Sequence, residues 1–243
     1  MVGESPSPVA LSDRSLALQV PIERGGTRRG RSTPRGVPGS IEGMSDPRQT
    51  PAVAPWSLET EETIGDYRIF QLTRSVRRSP RDGRESAFVR IDAPNWVNVV
   101  ALTGEGRLLL IEQYRHGADA ITIEIPGGTV DEGETPAQAI ARELEEETGY
   151  VPAELHPLGR VEPNPAFQSN TCWTYLGLGC TFRGNARPDP SEEIAVRLSS
   201  LAEFTALIDS GTIRHALVVA AHDHLRRALA RRDPRTAALA PWL

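Results

Sequence analysis

From Trp56 onward, short apolar runs alternate with turn signals. DYRIFQLT, ESAFVRI, WVNVVALT, RLLLIEQY and ITIEI place apolar side chains at alternate positions or in brief unbroken runs, the pattern of strands. Gly104-Glu105-Gly106 predicts a hairpin turn between WVNVVALT and RLLLIEQY. Beyond Gly128 the period lengthens: Ala137, Ile140, Ala141 and Leu144 recur at helical spacing and predict a helix that buries this stripe. Its ends are marked. Thr135 is the N-cap with Gln138 three residues on, Pro136 takes the first helical position, and Gly149 supplies a left-handed stop. LGRVE, TCWTYLGLGCTF and EIAVRLS read as further strands, followed by two helices. The first has a capping box, Ser200 with Glu203, an apolar set of Leu201, Phe204, Leu207 and Ile208, and Gly211 as its stop. The second runs through HALVVAAHDHLRRALARR. Strands flanked by separated helices predict one layered α/β domain over residues 56–243.

Residues 1–55 lack this patterning. Their Ser, Pro, Gly and Arg content predicts a disordered N-terminal tail, and the acidic residues in it argue against an organelle transit peptide. Met44 offers an alternative start. The whole chain of 243 residues carries a net charge of -5, which excludes nucleic acid as the main partner by simple attraction. No run of about 18 apolar residues predicts a membrane span, so no membrane partner is expected. Cys172 and Cys180 lie on one predicted strand, too far apart to bridge, and a reducing, cytoplasmic location is the expectation. All 27 basic residues are arginine, which reads as a composition habit of the source.

The chemistry lies in PGGTVDEGETPAQAIARELEEETGY, residues 126–150. Helical spacing gathers Glu143, Glu146 and Glu147 within one turn, beside the apolar stripe. Like charges so placed repel by a few tenths of a kcal/mol per pair, and a bound divalent cation reverses that sign. Mg²⁺ is the fitting ion: it prefers oxygen ligands and shares its shell between carboxylates, water and phosphate. Gly127 and Gly128 allow another group to approach closely, and Arg142 can pair with Glu134 or Glu146 to hold the acids in place.

Gly128, five residues, Glu134, seven residues, and then Arg142-Glu143-Leu144-x-Glu146-Glu147-x-Gly149 resembles the 23-residue signature of the Nudix hydrolases. One position departs: Tyr150 stands where that signature has an aliphatic residue. The resemblance implies an α/β/α sandwich with a mixed sheet and a metal site. Glu143, Glu146 and Glu147 would be its acidic ligands and the Gly127 carbonyl a further one, with Mg²⁺ as the cofactor and Mn²⁺ as the alternative. Gly128, Glu134, Arg142 and Gly149 would be structural supports. APNWVNVVALT, IEQYRHG and IEIPGG resemble the branch that hydrolyses ADP-ribose and other nucleoside diphosphate sugars, although the Pro-Gly element many of these carry after the box is absent. VEPNPAFQSNTCWTYL resembles a subset of that branch.

Carried over, the resemblance implies Mg-dependent cleavage of a nucleoside diphosphate sugar to a nucleoside monophosphate and a sugar phosphate. Glu193 is the expected general base, ahead of Glu192 and Glu162, and Arg115 is the expected phosphate contact. Glu124, Trp96 and Asn98 are expected to bind substrate, with Phe167 and Asn170 as weaker candidates. His116, His222 and His224 are expected to be structural. A homodimer through residues 56–90 is expected by analogy. The alternatives are a Nudix-type metabolite sensor that binds without cutting, and hydrolysis of a nucleoside triphosphate, a dinucleoside polyphosphate or a coenzyme A derivative.

Overall fold

The computed structural model describes residues 53–184, 186–188 and 192–242. All but the last three residues of the expected tail, and Met44, lie outside them. The described chain divides into two compact units. One carries a three-stranded sheet of β1 (Ser57–Tyr67), β2 (Phe70–Arg78) and β3 (Glu85–Asp92), in that order. DYRIFQLT is therefore not one strand. The chain turns at Arg68 and Ile69, and the polar run SLETEETIGDY, whose apolar residues are too sparse to signal, forms β1 instead.

The second unit holds β4 (Trp96–Thr103), β5 (Leu108–Arg115), β6 (Ala120–Glu124), β7 (Gly127–Thr129), β8 (Tyr150–Val151), β9 (Glu154–Val161), β10 (Cys172–Phe182) and β11 (Ile194–Ser199). Its eight-stranded sheet has the order β11-β5-β4-β10-β8, with β6 on β5, β7 on β4 and β9 on β10. β4 and β10 run parallel, while β5 pairs antiparallel with β6 and β11, so the sheet is mixed. The predicted turn forms: Thr103 N–H donates to Arg107 O at 2.9 Å and Gly106 N–H to Thr103 O at 3.0 Å.

Strand periodicity divides the core into two layers. Val97, Val99 and Ala101 of β4 pack with Ala139, Ile140 and Leu144 of α1 (Pro136–Thr148). Val100 and Leu102 face the other way, toward Phe204 of α2 (Leu201–Asp209) and Val218, Ala221 and Leu225 of α3 (Ala216–Ala230). This is the expected α/β/α sandwich. Cys172 and Cys180 are both free and buried.

α1 starts and stops where its caps predict, with both bonds of the Thr135–Gln138 box formed and Gly149 at φ 74. Its buried face is rotated from the expected one: Ala137 is exposed and Ala141 half-buried, while Ala139 is fully buried. Alanine spacing alone did not distinguish these faces, and the rotation carries the apolar stripe directly into Glu147. At α2 the Ser200 side chain accepts from Glu203 N–H, but Glu203 turns its carboxylate to Ser199 and Arg197 rather than closing a box. Tyr150 packs its ring on Phe182, with centroids 5.2 Å apart.

At Gly149 a Cβ would stand 2.8 Å from Phe182 Cε2 as well as forcing an L side chain into the left-handed region. Gly149→Ala is expected to cost about 1–2 kcal/mol for the backbone alone. A urea denaturation midpoint equal to that of the parent chain would contradict this.

Candidate active site

The pairing of β7 with β4 sets Gly127 beside Asn98, Gly128 beside Val97 and Thr129 beside Trp96. α1 lies against β7, so its acidic face meets these glycines. The Gly127 N–H donates to Glu147 Oε2 at 2.9 Å. A Cβ at Gly128 would lie 2.4 Å from Glu143 Cδ, so the glycine admits a helix carboxylate into the space a side chain would fill. Both acids open on a cavity of about 670 Å³.

Glu147 is only 5% exposed. Burial pushes its carboxyl up to about 8, with Glu143 and Glu192 adding repulsion against the relief supplied by Gly127 N–H. Burial likewise raises Glu143, against the lowering effect of Arg142. Arg142 organises the outer side of this group. Its Nε and one terminal nitrogen each stand 3.0 Å from Glu134, its other terminal nitrogen is 3.0 Å from both Glu143 and Glu146, and it also donates to Thr129 O at 3.1 Å. These bonds raise the guanidinium further above its ordinary range. Arg142 thus pairs with both of the predicted partners at once.

Among the described residues, no three His, Cys, Asp or Glu side chains converge to enclose an ion. Glu143 and Glu146 share one Arg142 nitrogen, and Glu146 is the more exposed of the two, which leaves the largely buried Glu143 and the buried Glu147 as the inner acids of α1 on the cavity wall. Two carboxylates on an open wall suit a hard divalent ion that takes the rest of its shell from water and phosphate. The donor set is all oxygen, and burial, with neighbouring acids adding repulsion, raises both carboxyls, a cost that a dication would relieve.

The expected substrate residues Trp96, Asn98, Arg115 and Glu124 all line the same cavity. Arg115 and Glu124, however, are engaged with each other: Nε donates to Oε1 at 2.9 Å and Nη2 to Oε2 at 2.8 Å. Thr122 Oγ1 adds a bond of 2.6 Å to Oε1. Burial works to raise the 3% exposed Glu124, and Arg115 and Thr122 outweigh it, so the carboxyl is held below its ordinary value. Asn98 donates from Nδ2 to Leu217 O at 3.3 Å and so ties β4 to the first turn of α3.

Glu193 is exposed and outside the cavity lining, as is Glu162. The neighbour Glu192 reaches the wall instead, because successive residues entering a strand face opposite ways. Phe167 and Asn170 are also absent from the lining, and Asn170 is buried with its Nδ2 on Pro94 O at 3.1 Å. His116 is exposed, His222 is buried on Thr205 at 3.0 Å, and His224 packs at Gly159, all away from the cavity. The residue missed by sequence reasoning is His215, which caps α3 through Nδ1 and lines the cavity. A histidine just before a helix gives little N-cap signal, since Ser, Thr, Asp and Asn are the preferred caps.

The NUDIX domain family model matches residues 94–221, just over half of the chain, which therefore belongs to the Nudix family. Over 134 residues it is 33% identical to the methanol dehydrogenase activator of Bacillus methanolicus, covering 53% of this chain and 72% of that one. It is 28% identical over 146 residues to the ADP-ribose pyrophosphatase of Bacillus subtilis (strain 168), covering 60% and 79%. A solved structure described as an ADP compounds hydrolase shares the fold with a TM-score of 0.67 at 21% identity, covering 76% of this chain and 99% of that one. The chain is a Nudix pyrophosphohydrolase, a class of enzyme that generally uses a divalent metal. No helix among the described residues is long and apolar enough to cross a membrane.

Proposed function

We propose that the chain hydrolyses the pyrophosphate bond of nucleoside diphosphate sugars in a Mg-dependent reaction, with Mn²⁺ as the alternative ion. The observation that carries this reading is the pair of α1 acids, the largely buried Glu143 and the buried Glu147, on the wall of a cavity that also presents Arg115 and Glu192. Glu143 and Glu147 would hold the ion, with Glu146 and the Gly127 carbonyl as further donors. Such an ion, when bound, neutralises phosphate oxygens and acidifies a water.

The chain's own groups divide the remaining work. Arg115 keeps one terminal nitrogen outside its fork with Glu124 and offers it to a phosphate oxygen. Glu192, whose charge is felt by Glu143, Glu147 and Arg115, accepts the proton of the attacking water. Arg142 keeps Glu143 and Glu146 oriented. Trp96 gives the cavity an aromatic surface suited to an apolar ring face. The relative named for ADP-ribose supports the choice of substrate class.

Incubation with ADP-ribose and Mg²⁺ is expected to release AMP and ribose 5-phosphate, and EDTA to abolish the release. Intact ADP-ribose in the presence of Mg²⁺ would contradict the reading. We also propose a homodimer through residues 56–90, supported by Leu58, Ile64 and Tyr67 being about half exposed on β1. Sedimentation at the 26.5 kDa monomer mass would remove it.

A further inference from the structure

His215 and Glu124 both line the cavity, with a ring nitrogen of one near a carboxylate oxygen of the other. The imidazole accepts Leu217 N–H at Nδ1, 3.3 Å away, so the neutral ring carries its proton on Nε2. Nε2 stands 4.0 Å from Glu124 Oε2, too far for a direct bond. Glu124 Oε1 already accepts from Arg115 and Thr122, whereas Oε2 accepts from Arg115 alone and keeps a lone pair. The gap therefore presents one fixed donor and one fixed, charged acceptor.

A single atom at about 2.8 Å from both, an ordinary hydrogen-bond length, fits a separation of this size. It must accept from Nε2–H and donate to Oε2. A phosphate or carboxylate oxygen has no proton to give and is repelled by Glu124. An ammonium group has no lone pair for His215. A base edge presents its donor and acceptor on two different atoms. A hydroxyl does both from one oxygen, as does a water, and a substrate hydroxyl that displaces such a water reproduces both of its bonds.

We propose that His215 is a specificity-determining residue which, with Glu124, forms a seat for a sugar hydroxyl of the substrate. This rests on the nucleoside diphosphate sugar reading and deepens it: the same cavity selects diphosphates that carry a hydroxylated group. The hydroxyl comes from the distal sugar or from the ribose of the nucleoside, and a site built to bond it rejects an analogue lacking it because both polar groups are then left unpaired.

The test compares three compounds: ADP-ribose, the propyl ester of ADP, and an ADP-ribose whose adenosine ribose is 2′,3′-dideoxy. His215→Asn and His215→Ser each keep an N-capping oxygen for Leu217 while removing the Nε2 donor. The parent chain is expected to lose about tenfold or more in kcat/KM on whichever analogue lacks the seated hydroxyl, mostly through KM. Both variants are expected to lose about tenfold on ADP-ribose, through KM, and to match the parent on that analogue. Calorimetric binding of the same three compounds in EDTA gives a second readout that needs no turnover.

A parent that prefers ADP-ribose, with variants that keep the preference in full, overturns the seat and leaves the sugar-nucleotide reading standing. Equal treatment of all three compounds by the parent, in both turnover and binding, overturns the seat. Absence of ADP-ribose turnover overturns the proposed function, and binding then decides the seat by itself.

Discussion

Glu147→Gln is expected to lower kcat on a nucleoside diphosphate sugar by about two to three orders of magnitude while leaving the fold intact, the range found when one preorganised electrostatic group is removed. Shape is preserved, and the amide oxygen can still accept the Gly127 N–H that now lies 2.9 Å from Oε2. What is lost is a charge at a buried acid of the cavity that, unlike Glu124, has no arginine fork to neutralise it. Stability supplies an independent check with a definite sign. The Glu147 carboxyl sits at about 8 in the folded protein, above its ordinary value of 4.5. A raised acid favours folding fully below its unfolded pKa, and this contribution fades as pH rises through the folded one. In EDTA the parent should therefore lose stability relative to Glu147→Gln between about pH 4.5 and pH 8, and Mg²⁺ should restore it to the parent alone. Parallel melting curves for the two proteins across that window would contradict the assignment of Glu147 as a buried, cation-ready acid.

Gly128→Ala should produce the second largest loss, by a different route. The backbone at Gly128 is not in the left-handed region, so alanine is conformationally acceptable there. Its Cβ, however, would fall 2.4 Å from Glu143 Cδ, and the carboxylate must move aside. A displacement of about 1 Å in a positioned catalytic group can cost about a hundredfold, and kcat/KM is expected to fall by that order. The contrast with Gly149→Ala is informative. That change strains the helix stop and should appear in the denaturation midpoint, whereas Gly128→Ala should melt near the parent temperature and fail in the assay. Near-parental turnover by Gly128→Ala would show that Glu143 does not need its present place.

The helix that carries the acids was legible almost residue for residue, because its limits are written in local chemistry: a capping box, a proline at the first turn and a glycine at the stop. β4 was equally clear, since a strand covered on both faces reads as a continuous apolar run. The signature spacing likewise brought Glu143, Glu147, Gly127, Gly128 and Arg142 into one place, as the structure finds them. Features set by tertiary context were harder to see. β1 is polar along nearly its whole length, so hydrophobic periodicity could not find it. Glu192 and Glu193 are adjacent and chemically identical, and only the direction in which the chain enters β11 separates the cavity side from the solvent side. Arg115 and Glu124 each looked like a ligand contact from sequence. Their mutual fork is a diagonal contact on one face of β5 and β6: the register places Glu124 opposite Ile111 and Arg115 opposite Ala120, and the arginine side chain reaches along the sheet to the carboxylate. His215 approaches the same fork from a different element, some ninety residues later in the chain.

The most direct measurement of the central claim is a crystal structure of the protein with Mn²⁺ and the methylene analogue of ADP-ribose, whose bridging carbon resists hydrolysis. Anomalous scattering locates the metal without relying on coordination geometry. A manganese peak is expected, bonded to carboxylate oxygens of Glu143 and Glu147 and to an oxygen of the diphosphate. A fully occupied analogue in the cavity, with no anomalous peak at these two acids, would contradict it.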